Sequence, residues 1–330
     1  MSTEAANPTA NRSLLLVHGR DFKPASDIYL DISLAAIRAG IERDFPDCVA
    51  AFDLLQKHIA WYGDLSAEVL TAAGKNYDET LDVGDRRNAL DALKAITPRK
   101  KFGIRLYDQL PGKSALPEFF ADIGAPVLGA MGLKMPVIGK LAKDFAAYFD
   151  DASGYATAVR NRVRERLCEL LDRGDRVMLM THGTGSVIAY DVLWELSHDT
   201  QYAAQYADRK VEQWLTMGSP LGDRCLQKRL LGAKEKIGSR FPGNVISWHN
   251  LSAEDDFVSH DDSLADDFKL MLKQKQVSFI RDYRIYNLAI RYGKSNPHSS
   301  LGYLVHPRLA QILVEWLNRG PVESSAMNIP

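Results

Sequence analysis

Residues 177–191 contain the strongest chemical signal in the sequence. Four apolar residues, a very tight turn and a mostly apolar stretch follow one another, which predicts a buried strand, a sharp turn and a buried helix. A turn of this kind exposes the side chain at its centre, so a hydroxyl placed there can attack a substrate. The central residue is Gly183. The sequence therefore predicts the turn without the attacking atom.

Strands and helices alternate on either side of this turn. The apolar run at 13–17 is followed by His18 and Gly19, and glycine permits a sharp departure from a sheet. Further strands are predicted at 58–65, 177–180, 213–217, 244–250 and 284–292, and helices at 30–45, 155–171, 184–196 and 307–317. The alternation predicts an α/β fold with a mostly parallel sheet, helices on both faces and a ligand crevice at the carboxyl edge of the strands.

Five segments of the chain follow one another in a characteristic order. They are residues 14–19, 61–64, 181–191, 217–222, and 248–250 leading to 256–258 with His298 later. In this order the chain resembles the α/β-hydrolase superfamily, and more narrowly its lipase- and esterase-like serine hydrolases. The resemblance touches most of the chain outside residues 67–151. It implies a single α/β-hydrolase domain over residues 1–330.

The superfamily carries a nucleophile, an acid and a histidine in that chain order. By resemblance these three positions fall on Gly183, Asp256 and His298. In such a site the imidazole removes the proton of a serine hydroxyl, and the carboxylate orients the imidazole and stabilises its charged form. The resemblance thus implies the acid and the base of an acyl-transfer site in a chain whose nucleophile position holds glycine.

Other carboxylates and another histidine compete for two of these roles. Asp256 is preferred to Asp255 and Asp261 because an apolar pair follows it, as is common for the acid of the family. The other two are expected to be solvated loop charges. His298 is preferred to His306, which directly precedes a proline at a predicted helix start and is expected to be structural.

The resemblance also implies backbone N–H donors for the anionic oxygen of the reaction intermediate. These oxyanion-hole donors are expected from Thr184 and from Arg20 or Asp21. None of them depends on the side chain at position 183, so the anion-binding corner is expected with glycine there. The substrate pocket is predicted to include His18, Gly19, His182 and Ser219, with Ser219 as a turn residue.

Two hydroxyls near the turn are poor replacements for the nucleophile. Centring the turn on Thr184 places the bulky His182 in a position that must be small. Ser186 lies one turn into the predicted buried helix, where its hydroxyl is expected to bond backward to a carbonyl.

Glycine at position 183 keeps the turn and removes the oxygen. Such a turn strains any side chain by about 1–3 kcal/mol, whereas glycine adopts its angles freely. Three interpretations stay open: a serine hydrolase disarmed by replacement, a pseudoenzyme that binds a ligand or partner in the pocket, and acid–base chemistry in which His298 and Asp256 activate water. As written, the chain is expected to be nearly inactive as a serine esterase.

The composition is that of a globular protein with a sizeable core, since 46% of its residues are hydrophobic and 25% are charged. A net charge of −1 predicts no general attraction to nucleic acid. Cys48, Cys168 and Cys225 have no metal-type spacing and are expected to be buried free thiols. No metal site and no cofactor are predicted. The N-terminal residues lack the pattern of a signal peptide, and a cytoplasmic location is expected.

Residues 67–151 are predicted to form a lid or cap insertion over the sheet's carboxyl edge. Within it, residues 125–139 are apolar, but two prolines, several glycines and a lysine argue against a membrane-spanning helix. An apolar flap or a segment with transient membrane-surface contact is expected instead. The expected ligand is a carboxylic ester or a lipid-like acyl compound, and the sequence leaves the oligomeric state open.

Overall fold

Six parallel strands form the central sheet, in a computed structural model that describes residues 12–97, 99–112, 143–259 and 263–320. The strands are β1 (Arg12–Val17), β2 (Gln56–Ala60), β3 (Arg176–His182), β4 (Val211–Met217), β5 (Val245–Ala253) and β6 (Phe279–Ile285). Their order is β2-β1-β3-β4-β5-β6, and every neighbouring pair is parallel. A small antiparallel pair, β7 (Ile290–Arg291) and β8 (Lys294–Ser295), follows. The predicted α/β architecture with a parallel sheet is confirmed.

Helices lie between and after the strands. In chain order the described α-helices are α1 (Ser26–Asp44), α2 (Val49–Leu54), α3 (Gly63–Ala72), α4 (Glu79–Lys94), α5 (Ile104–Tyr107), α6 (Lys143–Tyr148), α7 (Tyr155–Asp172), α8 (Thr184–His198), α9 (Ala203–Tyr206), α10 (Arg224–Gln227), α11 (Leu264–Asp267), α12 (Lys269–Lys273), α13 (Ser300–Leu304) and α14 (Pro307–Asn318). Short 3₁₀ turns are described at Pro46–Cys48, Arg99–Lys101, Asp151–Ser153, Pro220–Gly222, Ile237–Ser239 and Phe257–Ser259.

Alternating side chains of the strands build a hydrophobic core on each face of the sheet. From β1, Leu15 and Val17 pack with α7 and α8, whereas Leu14 and Leu16 pack with α1 and α14. Of the residues of α8, all but Trp194 and His198 are buried, as expected for a central helix. Helices therefore cover both faces, and the strand ends at the edges of the sheet are left for other roles.

Two strand predictions were wrong in their bounds. The strand predicted at 58–65 ends at Ala60, and α3 begins at Gly63. An apolar run does not by itself distinguish a strand from the start of a buried helix. The strand predicted at 284–292 is β6, which ends at Ile285. Since β6 is an edge strand with several half-exposed polar residues, its apolar signal is weak.

The insertion predicted at 67–151 is described only in part. Its described portion contains the end of α3, then α4, α5 and α6, and α4 packs against α1. The apolar segment 125–139 lies outside the described residues. In the part of the chain that the structure describes, no helix is both long enough and apolar enough to cross a bilayer.

The three cysteines are free thiols, but the prediction that they are buried was wrong, since none is fully buried. Cys225 is exposed, and Cys48 and Cys168 are partly buried. Cys225 lies in the short helix α10, whose buried residue is the neighbouring Leu226.

Candidate active site

The ends of β1 and β3 place two loops side by side. After β1 the chain forms β2 on one side of that strand and then β3 on the other, so the strand order reverses between β1 and β3. Ligand crevices of parallel sheets lie outside the carboxyl ends of the strands at such a reversal. Residues 18–21 follow β1 and residues 183–185 follow β3. Both loops therefore border the predicted crevice.

The chain turns sharply from β3 into α8 at Gly183. The residue has φ 54° and ψ −127°, in the left-handed range that side chains disfavour. Its N–H donates to the carbonyl of Met217 at 2.9 Å, which ties the turn to the end of β4. Two residues on, a Cβ at Gly185 would lie 2.3 Å from the carbonyl oxygen of His18, so only glycine permits this approach of α8 to the β1 loop.

His298 joins the turn to a carboxylate. Its Nε2 lies 3.1 Å from the point that a Cβ of residue 183 would occupy. Its Nδ1 lies 3.0 and 3.1 Å from the two carboxylate oxygens of Asp256. Asp256 follows β5, and its side chain is completely buried, whereas the side chain of His298 is 16% exposed. One ring nitrogen thus faces position 183, and the other faces an acid that is shielded from water.

Asp256 is held as a carboxylate by several donors. The hydroxyl of Tyr303 donates to one of its oxygens at 2.6 Å, and the Val258 N–H donates to the other at 3.0 Å. Burial alone would raise the pKa of Asp256, but the neighbouring His298 ring and these hydrogen bonds bring the pKa below its ordinary value. A Cβ at Gly218 would lie 2.8 Å from the same carboxylate, so a glycine there leaves room for the acid.

The backbone around His298 is fixed by two buried side chains. The amide of Asn287 donates to the carbonyl oxygens of Pro297 and Ser299, both at 2.8 Å. Nε2 of His182 donates a hydrogen bond to the carbonyl oxygen of His298 at 2.8 Å. Burial, reinforced by the nearby His298, lowers the pKa of His182 and keeps its ring neutral. Hydrogen bonds therefore hold the backbone carbonyl of His298 and the carbonyls of the residues on either side of it.

The competing residues lie elsewhere. Asp255 is exposed, and its carboxylate accepts a hydrogen bond from the Tyr107 hydroxyl at 2.8 Å. His306 is the N-cap of α14 and accepts from the Arg308 N–H at 3.0 Å. Asp261 lies outside the described residues. Neither Asp255 nor His306 is among the groups around Gly183.

The hydroxyl of Ser186 is committed to a neighbour within the core. It lies 2.9 Å from the hydroxyl of Thr181, which in turn accepts from the indole N–H of Trp214 at 3.1 Å. The expected bond from Ser186 to a backbone carbonyl was therefore wrong, because a hydroxyl on the preceding strand lies within reach. Ser186 is fully buried at this position.

Two of the expected oxyanion-hole donors are the backbone N–H groups of Thr184 and Asp21. Thr184 is the first residue of α8, so its N–H has no acceptor within the helix. The N–H of Asp21 donates to Oδ2 of Asp144 at 2.7 Å. On the opposite side of the loop, the ammonium of Lys23 donates to the carbonyl oxygens of residues 20–22. Since the C=O and N–H of one peptide point in opposite directions, the bond from Lys23 to the Arg20 carbonyl is consistent with the Asp21 N–H pointing toward Asp144.

Two of the predicted pocket residues have structural partners. His18 donates through Nδ1 to the carbonyl of Gly19 at 2.8 Å and accepts through Nε2 from the Tyr62 N–H at 3.2 Å. Burial lowers the pKa of His18 to about 3, so the ring is neutral and both nitrogens are occupied. Ser219 accepts from the Leu221 N–H at 3.3 Å and caps a short turn.

A small cavity lies beside the N–H donors. Arg20, Asp144 and Thr184 are polar residues that line it. Aromatic and aliphatic side chains form the rest: Tyr62, Phe145, Tyr148, Tyr155, Val187 and Ile188. Its volume is about 10 Å³, which is about the space of one water molecule. Among the described residues, no group of three or more His, Cys, Asp or Glu side chains is arranged to hold a metal ion.

Sequence reasoning missed three residues that shape this site. Tyr303 and Asn287 carry no local signal, because each acts through a contact made only in the folded chain. Gly218 lies in the segment 217–222, in which the sequence assigns it no role. Its φ of 55° and the closeness of the acid show why glycine is needed there.

Comparisons with known proteins do not assign the chain to a family. No protein-family model matches it, and neither the curated sequences nor the solved structures include a significant match. The functional argument therefore depends on the geometry of the site.

Proposed function

We propose that the protein has the active-site frame of an α/β-hydrolase for lipid-like carboxylic esters, with glycine in the nucleophile position. One observation carries the proposal: the ring of His298 lies between the turn at Gly183 and the buried carboxylate of Asp256. This is the geometric relationship of a nucleophile, a base and an acid in acyl-transfer sites. The sharp turn at the strand-to-helix junction supports the same proposal.

A serine at position 183 would complete the reaction. Its Oγ would attack the ester carbonyl carbon while its proton passes to Nε2 of His298, and Asp256 would stabilise the resulting imidazolium. The negative charge on the carbonyl oxygen would be met by the N–H of Thr184 and by an N–H of the β1 loop. The imidazolium proton would then leave with the alcohol, and water would hydrolyse the acyl-enzyme by the same steps.

In the chain as written, the same frame serves to bind such compounds. Loss of the serine in a related triad lowers turnover about 10⁶-fold, and roughly 10³–10⁴-fold acceleration over water remains from the oxyanion site and binding. We therefore propose a binding protein with residual hydrolytic activity at most. This expectation is the same whether the glycine is natural or was introduced in place of a serine.

The lining of the cavity supports an acyl ligand. The side chains next to the N–H donors are aromatic or aliphatic, including Phe145, Val187 and Ile188. Pockets for small ligands combine such a lining with a few polar groups that set the orientation. An ester or acid with an apolar chain meets both requirements once these side chains part, since the cavity as it stands has the space of one water molecule.

Installation of the missing oxygen tests the proposal. Gly183→Ser is assayed with chromogenic acyl esters of increasing chain length, with Gly183→Ala as the matched control that adds a Cβ without an oxygen. We expect activity at least 10³-fold above the unaltered chain in the serine variant alone, and its loss after treatment with a serine-reactive phosphonate. A correctly folded serine variant that neither turns over esters nor reacts with the phosphonate would contradict the proposal.

Direct activation of water is a second candidate function. It is favoured by the orientation of His298, whose Nε2 faces the side-chain-free position at Gly183 while Nδ1 is oriented by Asp256. In this case the unaltered chain hydrolyses esters, and His298→Ala abolishes that activity. Equal rates for the unaltered chain and His298→Ala would exclude it.

A further inference from the structure

One nitrogen of a buried guanidinium at the crevice lacks an acceptor. The side chain of Arg20 is only 7% exposed, and its Nη1 makes one long contact of 3.3 Å with the carboxylate of Asp21. Its Nη2 is buried and has no hydrogen-bond partner among the described residues. Leaving such a donor unpaired destabilises the fold, because the group has been taken out of water without a replacement hydrogen bond. The guanidinium therefore points to an acceptor that the fold itself does not provide.

Asp144 lies at the same corner as an internal carboxylate. It is 2% exposed, and it accepts from the Asp21 N–H at 2.7 Å and from its own helix at the Phe145 N–H at 3.0 Å. Burial and the nearby Asp21 raise its pKa, while Arg20, the Asp21 N–H and Lys23 act in the opposite direction. The carboxyl group of Asp144 thus already occupies a backbone donor that was expected to serve the reaction intermediate.

The groups at this corner suit a carboxylate. Arg20 and Lys23 are two cations on the β1 loop and Asp21 is one carboxylate beside them, with Lys75, Arg86 and Asp82 also close enough to act on them. The planar fork of a guanidinium matches the two oxygens of a carboxylate. The apolar lining of the adjoining cavity suits the hydrocarbon chain of such an acid, which inorganic phosphate lacks.

We propose that this corner binds the carboxylate of an apolar carboxylic acid through Arg20 and the Asp21 N–H, and that Asp144 occupies the Asp21 N–H part of that site in the structure described. The inference deepens the proposed function and rests on it, since an apolar carboxylic acid is the acyl product of ester hydrolysis. It assigns to Arg20 a side-chain role that is separate from any use of its backbone N–H.

Binding of such an acid requires α6 to move. Asp144, Phe145 and Tyr148 of α6 all line the cavity, which at about 10 Å³ has no space for an acyl chain. Displacement of the Asp144 carboxylate and withdrawal of Phe145 would open the apolar part together with the polar corner. Ligand binding and the position of α6 are therefore coupled.

The test compares hexanoate, 1-hexanol and inorganic phosphate by calorimetric titration of the full chain. Asp144→Ala removes the internal competitor, and Asp150→Ala is the control that removes a carboxylate from the exposed loop after α6. We expect Asp144→Ala to bind hexanoate at least tenfold more tightly than the unaltered chain, with a much smaller gain for 1-hexanol and none for phosphate. Asp150→Ala should bind hexanoate as the unaltered chain does.

A second substitution identifies the group that binds the carboxylate. Arg20→Met, combined with Asp144→Ala, should abolish the gain for hexanoate and leave 1-hexanol binding unchanged. Equal gains for hexanoate and 1-hexanol would show that the substitution merely opens a cavity and would overturn the proposal. So would a gain for phosphate in place of hexanoate, or no hexanoate binding by any variant. If Asp144→Ala does not fold, as judged by circular dichroism and thermal unfolding, Asp144→Asn takes its place with the same expected order of affinities.

The two proposals fail separately. A Gly183→Ser variant without esterase activity, alongside tight hexanoate binding by Asp144→Ala, removes the hydrolase proposal and keeps an acid-binding site. An active serine variant, alongside hexanoate binding by Asp144→Ala that is unchanged from the unaltered chain, removes the acid-binding site and keeps the hydrolase proposal.

Discussion

Nε2 of His298 lies 3.1 Å from the point that a Cβ on Gly183 would occupy, a contact tighter than most side chains make. Any residue other than glycine at position 183 therefore requires the ring to withdraw by a few tenths of an ångström. Nδ1 of the same ring is held by Asp256, and its backbone is held by His182 and Asn287. The ring has limited freedom to withdraw, and this determines how position 183 responds to substitution.

Gly183→Ala is expected to lower the free energy of unfolding by about 1–3 kcal/mol, because a Cβ is strained at φ 54° and meets the ring of His298. Urea denaturation monitored by tryptophan fluorescence measures the change. Gly84→Ala is the opposite control: Gly84 lies inside α4 with open space around it, and alanine should stabilise the protein by about 0.5–1 kcal/mol. Equal effects of the two substitutions would show that position 183 is not strained.

Asp256→Asn in the Gly183→Ser background is expected to lower kcat by roughly 10⁴-fold, since an amide neither stabilises the imidazolium nor sets the correct tautomer of His298. The adjacent Asp255→Asn is the matched control, because Asp255 is exposed and bonds only to Tyr107 among the residues described. Steady-state kinetics with one chromogenic ester compares the two. A larger loss for Asp255→Asn would reassign the acid.

Tyr303→Phe removes the hydroxyl that donates to Asp256 and accepts from the Ala253 N–H at 2.9 Å. A hydrogen bond to a charged group contributes about 1.5–3 kcal/mol, so we expect a loss of stability of this order. In the Gly183→Ser background kcat should fall about tenfold or more, with little change in KM, because the hydroxyl positions the acid and does not touch the substrate. A change confined to KM would argue for a substrate contact instead.

Asp191 predicts a pH dependence of stability. This residue of α8 is 2% exposed, and it accepts from the Tyr148 hydroxyl at 2.7 Å and the Leu231 N–H at 2.9 Å. Burial raises its pKa from 3.8 to about 6, although these hydrogen bonds and Arg160 oppose the rise. Because the folded-state pKa is the higher one, the stability present below pH 4 is lost as the pH rises through 6. A shift of about two units corresponds to about 3 kcal/mol.

Asp191→Asn should remove this dependence. Between pH 4 and pH 7 the stability of the variant relative to the unaltered chain is expected to rise by up to about 3 kcal/mol, as measured by urea denaturation at a series of pH values. Asp91→Asn, which changes an exposed carboxylate, is the control and should show no such trend. A constant difference between unaltered chain and Asp191→Asn over this range would mean that Asp191 titrates normally.

The sequence was most informative where local chemistry and backbone geometry coincide. The turn at Gly183 combines a buried strand, small residues and a buried helix within fifteen positions, and the structure has that turn. The edge strand β6 was misplaced because a half-exposed strand with arginines carries little apolar pattern. Contacts such as Tyr303 with Asp256 and Asp144 with Asp21 join residues 47 and 123 positions apart. No local pattern encodes them, and they become visible only when the fold brings the elements together.

The approach of Gly185 to the carbonyl of His18 packs the start of α8 directly against the end of β1. With no space for even a methyl group there, substitution at position 185 cannot be used to reshape the crevice. The other side of the cavity is lined by Asp144, Phe145 and Tyr148 of α6, where side chains can vary in size. Redesign of ligand preference is therefore best directed at α6, with the proposed anion-binding corner left unchanged.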